Sequence, residues 1–471
     1  SLYGADAIGG VIQIFTRDTA DRFTGHASAG HGTHDTRVLS AGLSGRIGAL
    51  RLSVQAGGRR SEGFNATTPD ASFIFDPDRD GYESEDVSAR ATLAIASGHE
   101  ASVQLLRNRL DAQFDGGEGF DDRTLTTIEL WRFESRNAFT SWWTSKASVG
   151  ESRDESVSKS AFGDSPFRTR QREYAWQNEF VVPHGTVIVA AERREETIDE
   201  EAGFAVRRRN TNSLTAVGQF QRDAHAVQAN IRHDQSDRQG GETTGAIAWG
   251  WQFRPGWRLT AGYSTAFKAP SFNDLYFPGF SNPDLEPERA RSVEAGLHWQ
   301  RNVGDVRLNA RAIGWRNEVD ELIVFQCDAS FNCLPRNVAS ATLAGVTFGI
   351  DADWRNTTVK ASLDVQSPRD DETGRLLPRR ARRHGAWTLL HRIGPVRLGV
   401  EGIASSHRFD DAENTRRLAG YALLNVTAEW QLPHNVTLLA RADNVTDRRH
   451  ALASGFATPG TQLFAGVRWQ P

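Results

Sequence analysis

Three closely spaced aspartates are the residues in this sequence whose type and spacing point most directly to chemistry. Asp76, Asp78 and Asp80 alternate with other residues, and Gly81 follows them. Calcium takes six to eight oxygen ligands, so closely spaced carboxylates on a glycine-tightened turn suit it. The spacing also matches the start of an EF-hand loop, but the twelfth position would be Val87, where that loop needs a bidentate glutamate. Two interpretations stay open: a calcium loop of another kind, and a solvated acidic loop without an ion.

The two cysteines suggest an oxidising compartment. Cys327 and Cys333 lie in a polar stretch with five residues between them, a spacing that fits a small disulfide-closed loop. The alternative is a pair of free thiols. No Cys-x-x-Cys motif and no histidine partner accompanies them, so metal binding by this pair is not expected.

Other chemical signals are weak. His26, His31 and His34 are close in sequence, but no His-Glu-x-x-His motif completes a zinc site. The arginine-rich stretches 207–209 and 379–383 lack the interleaved aromatic residues of a single-strand binder, and the net charge is −4. No Gly-x-Ser-x-Gly elbow is present. We therefore expect neither an enzyme nor a nucleic-acid-binding protein.

The elements that must carry these residues are β-strands. The 471 residues are 38% hydrophobic, and their mean hydropathy is −0.50. We find no apolar run of about 18 residues, which a membrane-spanning helix needs. The dominant pattern is alternation over about 8–10 residues, as in Val306, Leu308, Ala310 and Ala312. This pattern is typical of either a β-sandwich with an apolar core or a transmembrane barrel with an apolar exterior.

Aromatic residues and connection lengths favour the barrel. Tryptophans such as Trp257, Trp299 and Trp469 lie near the ends of alternating segments, where membrane barrels carry aromatic girdles. Some connections are tight and others run long and polar, as outer-membrane barrels require. At roughly 21 residues for each strand and its connection, the length predicts about 22 strands.

Three stretches in order carry a family resemblance. Residues 1–14 contain a Tyr-Gly turn and a Gly-Gly pair, residues 267–288 contain Phe-Lys-Ala-Pro and Asn-Pro-Asp-Leu-Glu-Pro-Glu, and residues 443–447 read Asp-Asn-Val-Thr-Asp. Together they resemble the plug end, the mid-barrel signature and the C-terminal end of TonB-dependent outer-membrane receptors. The resemblance implies an all-β fold, a 22-stranded antiparallel transmembrane β-barrel, with residues 1–17 as the end of the plug domain and residues 18–471 as the barrel.

Within this family, the acidic loop is similar to the calcium-binding extracellular loop of the cobalamin receptors. That similarity implies six calcium ligands: Asn65, Asp76, Asp78, Asp80, Asp115 and Asp121. Asn65 stands where the subfamily has an aspartate and Asp76 where it has a glutamine, so an oxygen ligand remains at both places. Arg379 and Arg380 match a stretch of these receptors near their substrate-facing loops, which implies that one of them contacts the ligand.

The same resemblance implies the function and the partners. We expect a monomeric, multi-pass transporter in the outer membrane of a Gram-negative bacterium, which imports cobalamin into the periplasm with calcium ordering its outer loops. A TonB-type energy-transducing protein would engage a plug segment that precedes Ser1. The alternatives are a receptor for a ferric siderophore or haem, and a passive diffusion porin.

Overall fold

The alternating residues form β-strands along most of the chain. The computed structural model describes residues 8–10, 22–198, 203–327, 333–337 and 340–471, apart from the side chains of Ser72, Phe73 and Cys327. Of the proposed plug end, residues 1–17, only residues 8–10 fall within this part. The prediction of a plug remnant thus lies largely outside the described residues.

The strands of the described chain are numbered in sequence order. They are β1 Thr24–Gly32, β2 Thr36–Ile47, β3 Leu50–Phe64, β4 Asp80–Ala96, β5 His99–Gln113, β6 Arg123–Ala138, β7 Trp143–Ser160, β8 Gly163–Val182, β9 Gly185–Ile198, β10 Arg208–Arg222, β11 His225–Ser236, β12 Gly240–Arg254, β13 Trp257–Lys268, β14 Glu288–Val303, β15 Val306–Asp320, β16 Ile323–Cys327, β17 Cys333–Asn337, β18 Ala341–Trp354, β19 Thr357–Asp370, β20 Arg383–Ile393, β21 Val396–Ser405, β22 Arg408–Phe409, β23 Arg417–Leu418, β24 Tyr421–Leu432, β25 Val436–Asp443 and β26 Gln462–Trp469.

Twenty-two of these strands form one closed antiparallel sheet. Each pairs with the next barrel strand in sequence, and β1 pairs with β26 to close the ring. The remaining four form two small hairpins, β16 with β17 and β22 with β23, in the connections between barrel strands. The predicted 22-stranded antiparallel barrel is confirmed, and the β-sandwich interpretation is excluded.

Helical structure in the described chain is short. It comprises the helix α1, Phe272–Tyr276, and two 3₁₀ segments, Pro69–Ile74 and Pro433–Asn435. Among the described residues, no helix is both long enough and apolar enough to cross a membrane.

The two ends of the barrel differ in their connections. One end carries tight turns, and every two-residue turn there includes a residue with positive φ. Positive φ suits two-residue hairpins, and glycine adopts it without strain. These positive-φ residues are Gly48, Gly98, His184, Asp223, Gly256, Gly304, Arg355 and Gly394. The other end carries the long segments 65–79, 269–287, 321–340, 406–420 and 444–461. In outer-membrane barrels the short turns face the periplasm and the long loops face outward.

The outer face of the barrel is apolar over a limited height. Val54, Ala89, Leu105 and Trp131 are successive cross-strand partners on β3 to β6, and Val54, Leu105 and Trp131 remain 52%, 50% and 41% exposed. Large apolar side chains that stay exposed on one face are expected where lipid, and not water, covers that face. We call this surface the apolar band.

The inner face holds polar and charged side chains. Arg232 on β11 is 8% exposed and donates to the Glu192 carboxylate at 2.6 Å, while its Nε donates to Asp234 at 3.0 Å. Glu192 lies on β9, two strands away, and Asp234 lies on β11 itself, so the ion pair with Glu192 braces the sheet across β10 from within. A polar lumen behind an apolar exterior is the inverse of a soluble protein and fits a membrane barrel.

Candidate functional site

The acidic residues singled out by the sequence lie at the long-loop end of the barrel. Asp78 and Asp80 belong to the connection between β3 and β4 and its junction with β4, and Asp115 belongs to the connection between β5 and β6. Because these strands are consecutive in the sheet, the two connections are neighbours. One carboxylate oxygen from each aspartate lies within 4.8 Å of the others. We call these three residues the acidic cluster.

The backbone around Asp80 is fixed by local contacts. Its Oδ2 accepts a hydrogen bond from the backbone N–H of Ala66 at 2.8 Å. Gly63 has φ +66°, and a Cβ at that position would lie 1.7 Å from the carbonyl oxygen of Asp80. Only glycine allows this approach, so the turn at Gly63 places Asp80 in the cluster.

Asp115 is held by a residue that the sequence did not indicate. The Thr67 hydroxyl donates to Oδ2 of Asp115, and Thr67 is only 5% exposed. An isolated threonine in a polar loop carries no motif, so only the fold reveals this contact. Thr67 therefore joins the connection between β3 and β4 to the one between β5 and β6.

The other three predicted calcium ligands make hydrogen bonds within the protein. Oδ2 of Asp76 accepts from the backbone N–H of Gly119 at 3.0 Å, and Oδ1 of Asn65 accepts from the backbone N–H of Thr67 at 3.0 Å. Asp121 accepts from Nε2 of Gln113 at 2.6 Å and from Nε of Arg123 at 2.9 Å. The structure thus brings three of the six predicted ligands together. A cation would compete with these hydrogen bonds for the remaining three.

The raised pKa values of Asp78 and Asp80 reflect burial first and the neighbouring carboxylates to a smaller extent. Burial raises the pKa of Asp80 to about 6, and the neighbouring Asp115 acts in the same direction. Burial also raises the pKa of Asp78, with further contributions from the carboxylates of Asp76 and Asp115. The hydrogen bond from the side chain of Gln113 lowers the pKa of Asp121 instead. The cluster therefore carries a charge that the described side chains around it do not neutralise.

These groups lie beyond the membrane. On the outer face of β4 the last residue of the apolar band is Val87, 48% exposed, and Glu85 and Glu83 follow it on the same face towards Asp80. The chemistry available is that of a hard divalent cation, because the donors are carboxylate oxygens from two loops. Asp78, Asp80 and Asp115 fit calcium in donor type. The helices that flank an EF-hand are replaced by strands, so that alternative is excluded.

The connection 65–79 between β3 and β4, which we call the acidic loop, is hydrogen-bonded to the last long connection of the barrel. Thr67 forms a β-bridge with Phe456. Beside it, the N–H of Thr68 donates to the carbonyl oxygen of Gly455 at 2.9 Å, and the N–H of Ala457 donates to the carbonyl oxygen of Ala66 at 2.8 Å. Backbone hydrogen bonds of this kind transmit order from one loop to the next. The position of the segment 444–461 therefore depends on that of the acidic loop.

The predicted ligand-contacting arginines lie further along the same chain of loops. Arg379 donates from Nε to Oδ1 of Asp410 at 2.8 Å, and Oδ2 of Asp410 accepts from the N–H of Ser454 at 3.3 Å. Arg380 is exposed and makes no ion pair within the described residues. Arg379 is thus held in place by Asp410, whereas Arg380 keeps its guanidinium available.

The cysteines lie in the small hairpin of β16 and β17. Cys327 and Cys333 are cross-strand partners in its register, and Cys333 is disulfide-bonded. The hairpin is attached to the segment 269–287, because Nδ2 of Asn282 donates to the carbonyl oxygen of Pro335 at 3.2 Å. This attachment orders two long connections at the mouth of the barrel.

The family of the chain follows from its match to a model of known proteins. Residues 18–445 match the family described as TonB dependent receptor-like, beta-barrel. The chain belongs to this family. It is therefore a TonB-dependent transporter of the outer membrane and not a passive diffusion porin.

Two curated relatives are vitamin B12 transporters. The chain is 23% identical over 484 residues to the vitamin B12 transporter BtuB of Photobacterium profundum, covering 100% of this chain and 78% of the relative. It is 26% identical over 499 residues to the BtuB of Vibrio cholerae, covering 100% of this chain and 77% of the relative. These relatives are transporters and not enzymes.

The solved structures show the fold alone at their low identity. The siderophore receptor PirA from Acinetobacter baumannii superposes with a TM-score of 0.85 at 12% identity, over 100% of this chain and 83% of that one. A mutant of the ferric enterobactin receptor PfeA from Pseudomonas aeruginosa, in complex with enterobactin, superposes with a TM-score of 0.85 at 15% identity. This match covers 100% of this chain and 84% of that one.

Proposed function

We propose that this transporter binds cobalamin at its outward loops and imports it into the periplasm. The acidic cluster is the observation that carries the proposal, because Asp78, Asp80 and Asp115 converge from two loops as the resemblance to cobalamin receptors requires. The similarity of this whole chain to about three quarters of two vitamin B12 transporters supports the same substrate. A TonB-type protein acting through a plug would supply the energy for import.

Calcium acts in this proposal by ordering the outer loops. Bound calcium would supply the positive charge that the acidic cluster lacks. Asp78 and Asp80 on one loop and Asp115 on the other would then be held together, which offsets the conformational entropy of fixing both loops before the substrate arrives. Asn65, Asp76 and Asp121 would complete the ligand set after giving up their present hydrogen bonds.

The order reaches the proposed substrate residues through the loop contacts. The acidic loop is bonded to the segment 444–461, Ser454 of that segment donates to Asp410, and Asp410 holds Arg379. Calcium binding would therefore stabilise the position of Arg379 as well. Arg380, which is free of ion pairs within the described residues, is the arginine proposed to contact the substrate.

A ferric siderophore or haem is the second candidate, and aromatic side chains at the barrel mouth favour it. Phe277 and Phe280 remain 38% and 55% exposed, with ring centroids 6.4 Å apart. Phe204, 4% exposed, packs edge-on against Phe277 at 5.8 Å. Exposed ring faces can stack on a catechol or porphyrin plane.

Isothermal titration of the purified protein in detergent micelles distinguishes these candidates. We expect cyanocobalamin to bind, and millimolar calcium to strengthen the binding. The variant Asp80→Asn should lose the calcium effect, whereas Asp70→Asn, an exposed aspartate of the same loop, should keep it. Cyanocobalamin binding that a chelator leaves unchanged contradicts the calcium role. No cyanocobalamin binding, together with binding of a ferric catecholate, moves the substrate to the second candidate.

A further inference from the structure

A group of arginines on the outside of the barrel lies immediately above the apolar band. Arg153 is on β7, and Arg168, Arg170 and Arg172 are on β8. Tyr174 of β8 is exposed on the lipid side, and the three arginines of β8 lie two, four and six residues before it, so they share its outer face. Arg153 is the cross-strand partner of Arg170 and therefore lies on the same face. We call these residues the arginine patch.

The register leaves two of these arginines directly opposite each other. Arg153 and Arg170 are cross-strand partners between β7 and β8. Like charges in this position destabilise a sheet. The partner of Arg170 on the other side is Thr197 of β9, so Arg170 has no carboxylate directly beside it on either neighbouring strand. Within the described residues Arg170 makes no ion pair and no side-chain hydrogen bond.

Two glutamates on β7 compensate the patch only in part. Glu151 accepts from Nε of Arg153 at 2.8 Å and from Nε of Arg172 at 2.6 Å, and Glu155 pairs with Arg168 at 2.8 Å. Glu129 of β6 lies beside Arg153, and Glu195 of β9 lies beside Arg172. These two carboxylates pair with arginines outside the patch, Glu129 with Arg107 and Glu195 with Arg193 and Arg208. Glu151 and Glu155 thus pair with three of the four arginines, and Arg170 is left over.

The arginines cover the more buried of these glutamates. The side chain of Glu151 is 3% exposed, whereas those of Arg153 and Arg172 are 59% and 46% exposed. The surface that the patch presents outward beside Glu151 is therefore guanidinium.

The height of the patch matches the headgroup region of the outward leaflet. Tyr174 and Trp176, 43% and 56% exposed, form the aromatic rows just below it, and such residues sit at the level of lipid headgroups. Measured along the strand from Tyr174, the row of Arg172 lies about 6.6 Å further out and the row of Arg170 about 13 Å. The corresponding distances along the membrane normal are shorter, because barrel strands tilt. The patch is at the long-loop end, which faces outward.

We propose that the arginine patch binds the phosphate groups of a phosphorylated glycolipid in the outward-facing leaflet. Arginine pairs with phosphate through two parallel hydrogen bonds, and its charge persists at any physiological pH. A phosphate monoester between Arg153 and Arg170 would relieve their repulsion and use the donors that the protein leaves unpaired. The acyl chains of the same lipid would lie against Tyr174, Trp176 and the apolar band below.

The other side of the barrel lacks such a surface. On β24 to β26 the outer face is apolar up to the ends of the strands, with Val426 39% and Leu463 57% exposed. Lipid binding through phosphate is therefore not expected at the sector of β24 to β26.

Native mass spectrometry and titration with diphosphoryl lipid A, on the protein in detergent micelles, test the proposal. We expect binding that the double variant Arg153→Gln, Arg170→Gln weakens at least about tenfold, given roughly 1 kcal/mol for each basic residue at an anionic membrane surface. The matched control is Arg254→Gln, Arg301→Gln, which removes two exposed arginines near the short-turn end and should leave the affinity unchanged.

A second variant separates loss of the site from loss of the fold. Arg170→Glu places a carboxylate opposite Arg153, so the barrel should keep its heat-modifiable migration on gels while lipid A binding falls further. Equal binding by the parent protein and the Gln variant would overturn the proposal. Equal affinity for phosphate-free glycolipid or for phosphatidylglycerol would overturn the assignment to a phosphorylated glycolipid.

Discussion

The acidic cluster and the arginine patch both concentrate charge of one sign, but different structures hold them. The acidic cluster joins two loops through a glycine turn and a threonine hydroxyl, whereas the arginine patch lies on two long paired strands. Carboxylates can relieve their repulsion by taking up a proton, and the pKa of Asp80, raised to about 6, shows this tendency. Guanidinium groups cannot do so. An acidic site can therefore lose part of its repulsion by protonation as the pH falls, whereas a basic patch keeps its charge and is neutralised only by an anion.

The largest expected effect is the loss of calcium affinity when two carboxylates of the acidic cluster are removed. The double variant Asp80→Asn, Asp115→Asn takes one ligand from each loop, so we expect calcium affinity to fall roughly 100-fold, because ligand charge sets the affinity of such sites. Calorimetry with calcium alone measures this, and Asp70→Asn is the control. A double variant that retains parental affinity would place the ion elsewhere.

Acidification should weaken calcium binding about tenfold between pH 7 and pH 5. With a pKa of about 6, Asp80 is mostly ionised at pH 7 and mostly protonated at pH 5, and a bound ion requires the ionised form. Calorimetry at the two values checks this, with Asp80→Asn as a variant whose residual affinity should show a weaker pH dependence.

In the absence of calcium, the stability of the loops should instead increase as the pH falls. Because the fold raises the pKa of Asp80, the contribution of this group to loop stability is fully present below its ordinary value of 3.8 and is lost as the pH rises through about 6. Hydrogen exchange of residues 65–80 in chelator should therefore be slower at pH 5 than at pH 7 once the intrinsic rate is corrected. Equal protection at both values would contradict the raised pKa.

Disturbing the glycine turn should have a smaller effect. Gly63→Ala would force its Cβ against the carbonyl oxygen of Asp80 and displace that residue, so we expect calcium affinity to fall about fivefold, within the usual cost of local backbone strain. Gly279→Ala also has positive φ, +79°, but meets no atom within 4 Å, and it should leave calcium binding intact. An equal loss in both variants would mean that the turn has no specific role.

Much of the fold was predictable because it depends on repeated local features. Alternation along segments such as β15, together with length, gave a 22-stranded barrel, and the structure confirms it. The three aspartates from Asp76 to Asp80 were visible as a motif. Asp115 became a candidate only through the family resemblance, because its approach to Asp80 depends on how β3 to β6 are paired.

Other features of the two charged regions could not be predicted from the sequence. Thr67 contacts Asp115 through a single hydroxyl, which has no sequence signature. The alternation of Arg168, Arg170 and Arg172 shows that they share a face of one strand, but their partners depend on the register with β7. A shift of one residue would move every side chain to the other face. Pairing between strands, and not composition, decides where charge is left uncompensated.

The smallest expected effect concerns barrel stability in the absence of an anion. Arg170→Gln removes the repulsion with Arg153, so we expect it to raise the free energy of unfolding by about 0.5 kcal/mol in micelles of an uncharged detergent. Arg168→Gln removes the same charge from the same strand but breaks the ion pair with Glu155, and it should give no such gain. Urea unfolding followed by tryptophan fluorescence measures both. With diphosphoryl lipid A added, the parent protein should become more stable than Arg170→Gln, since only the parent retains the full phosphate site. If lipid A leaves Arg170→Gln the more stable of the two, phosphate does not relieve the repulsion between Arg153 and Arg170.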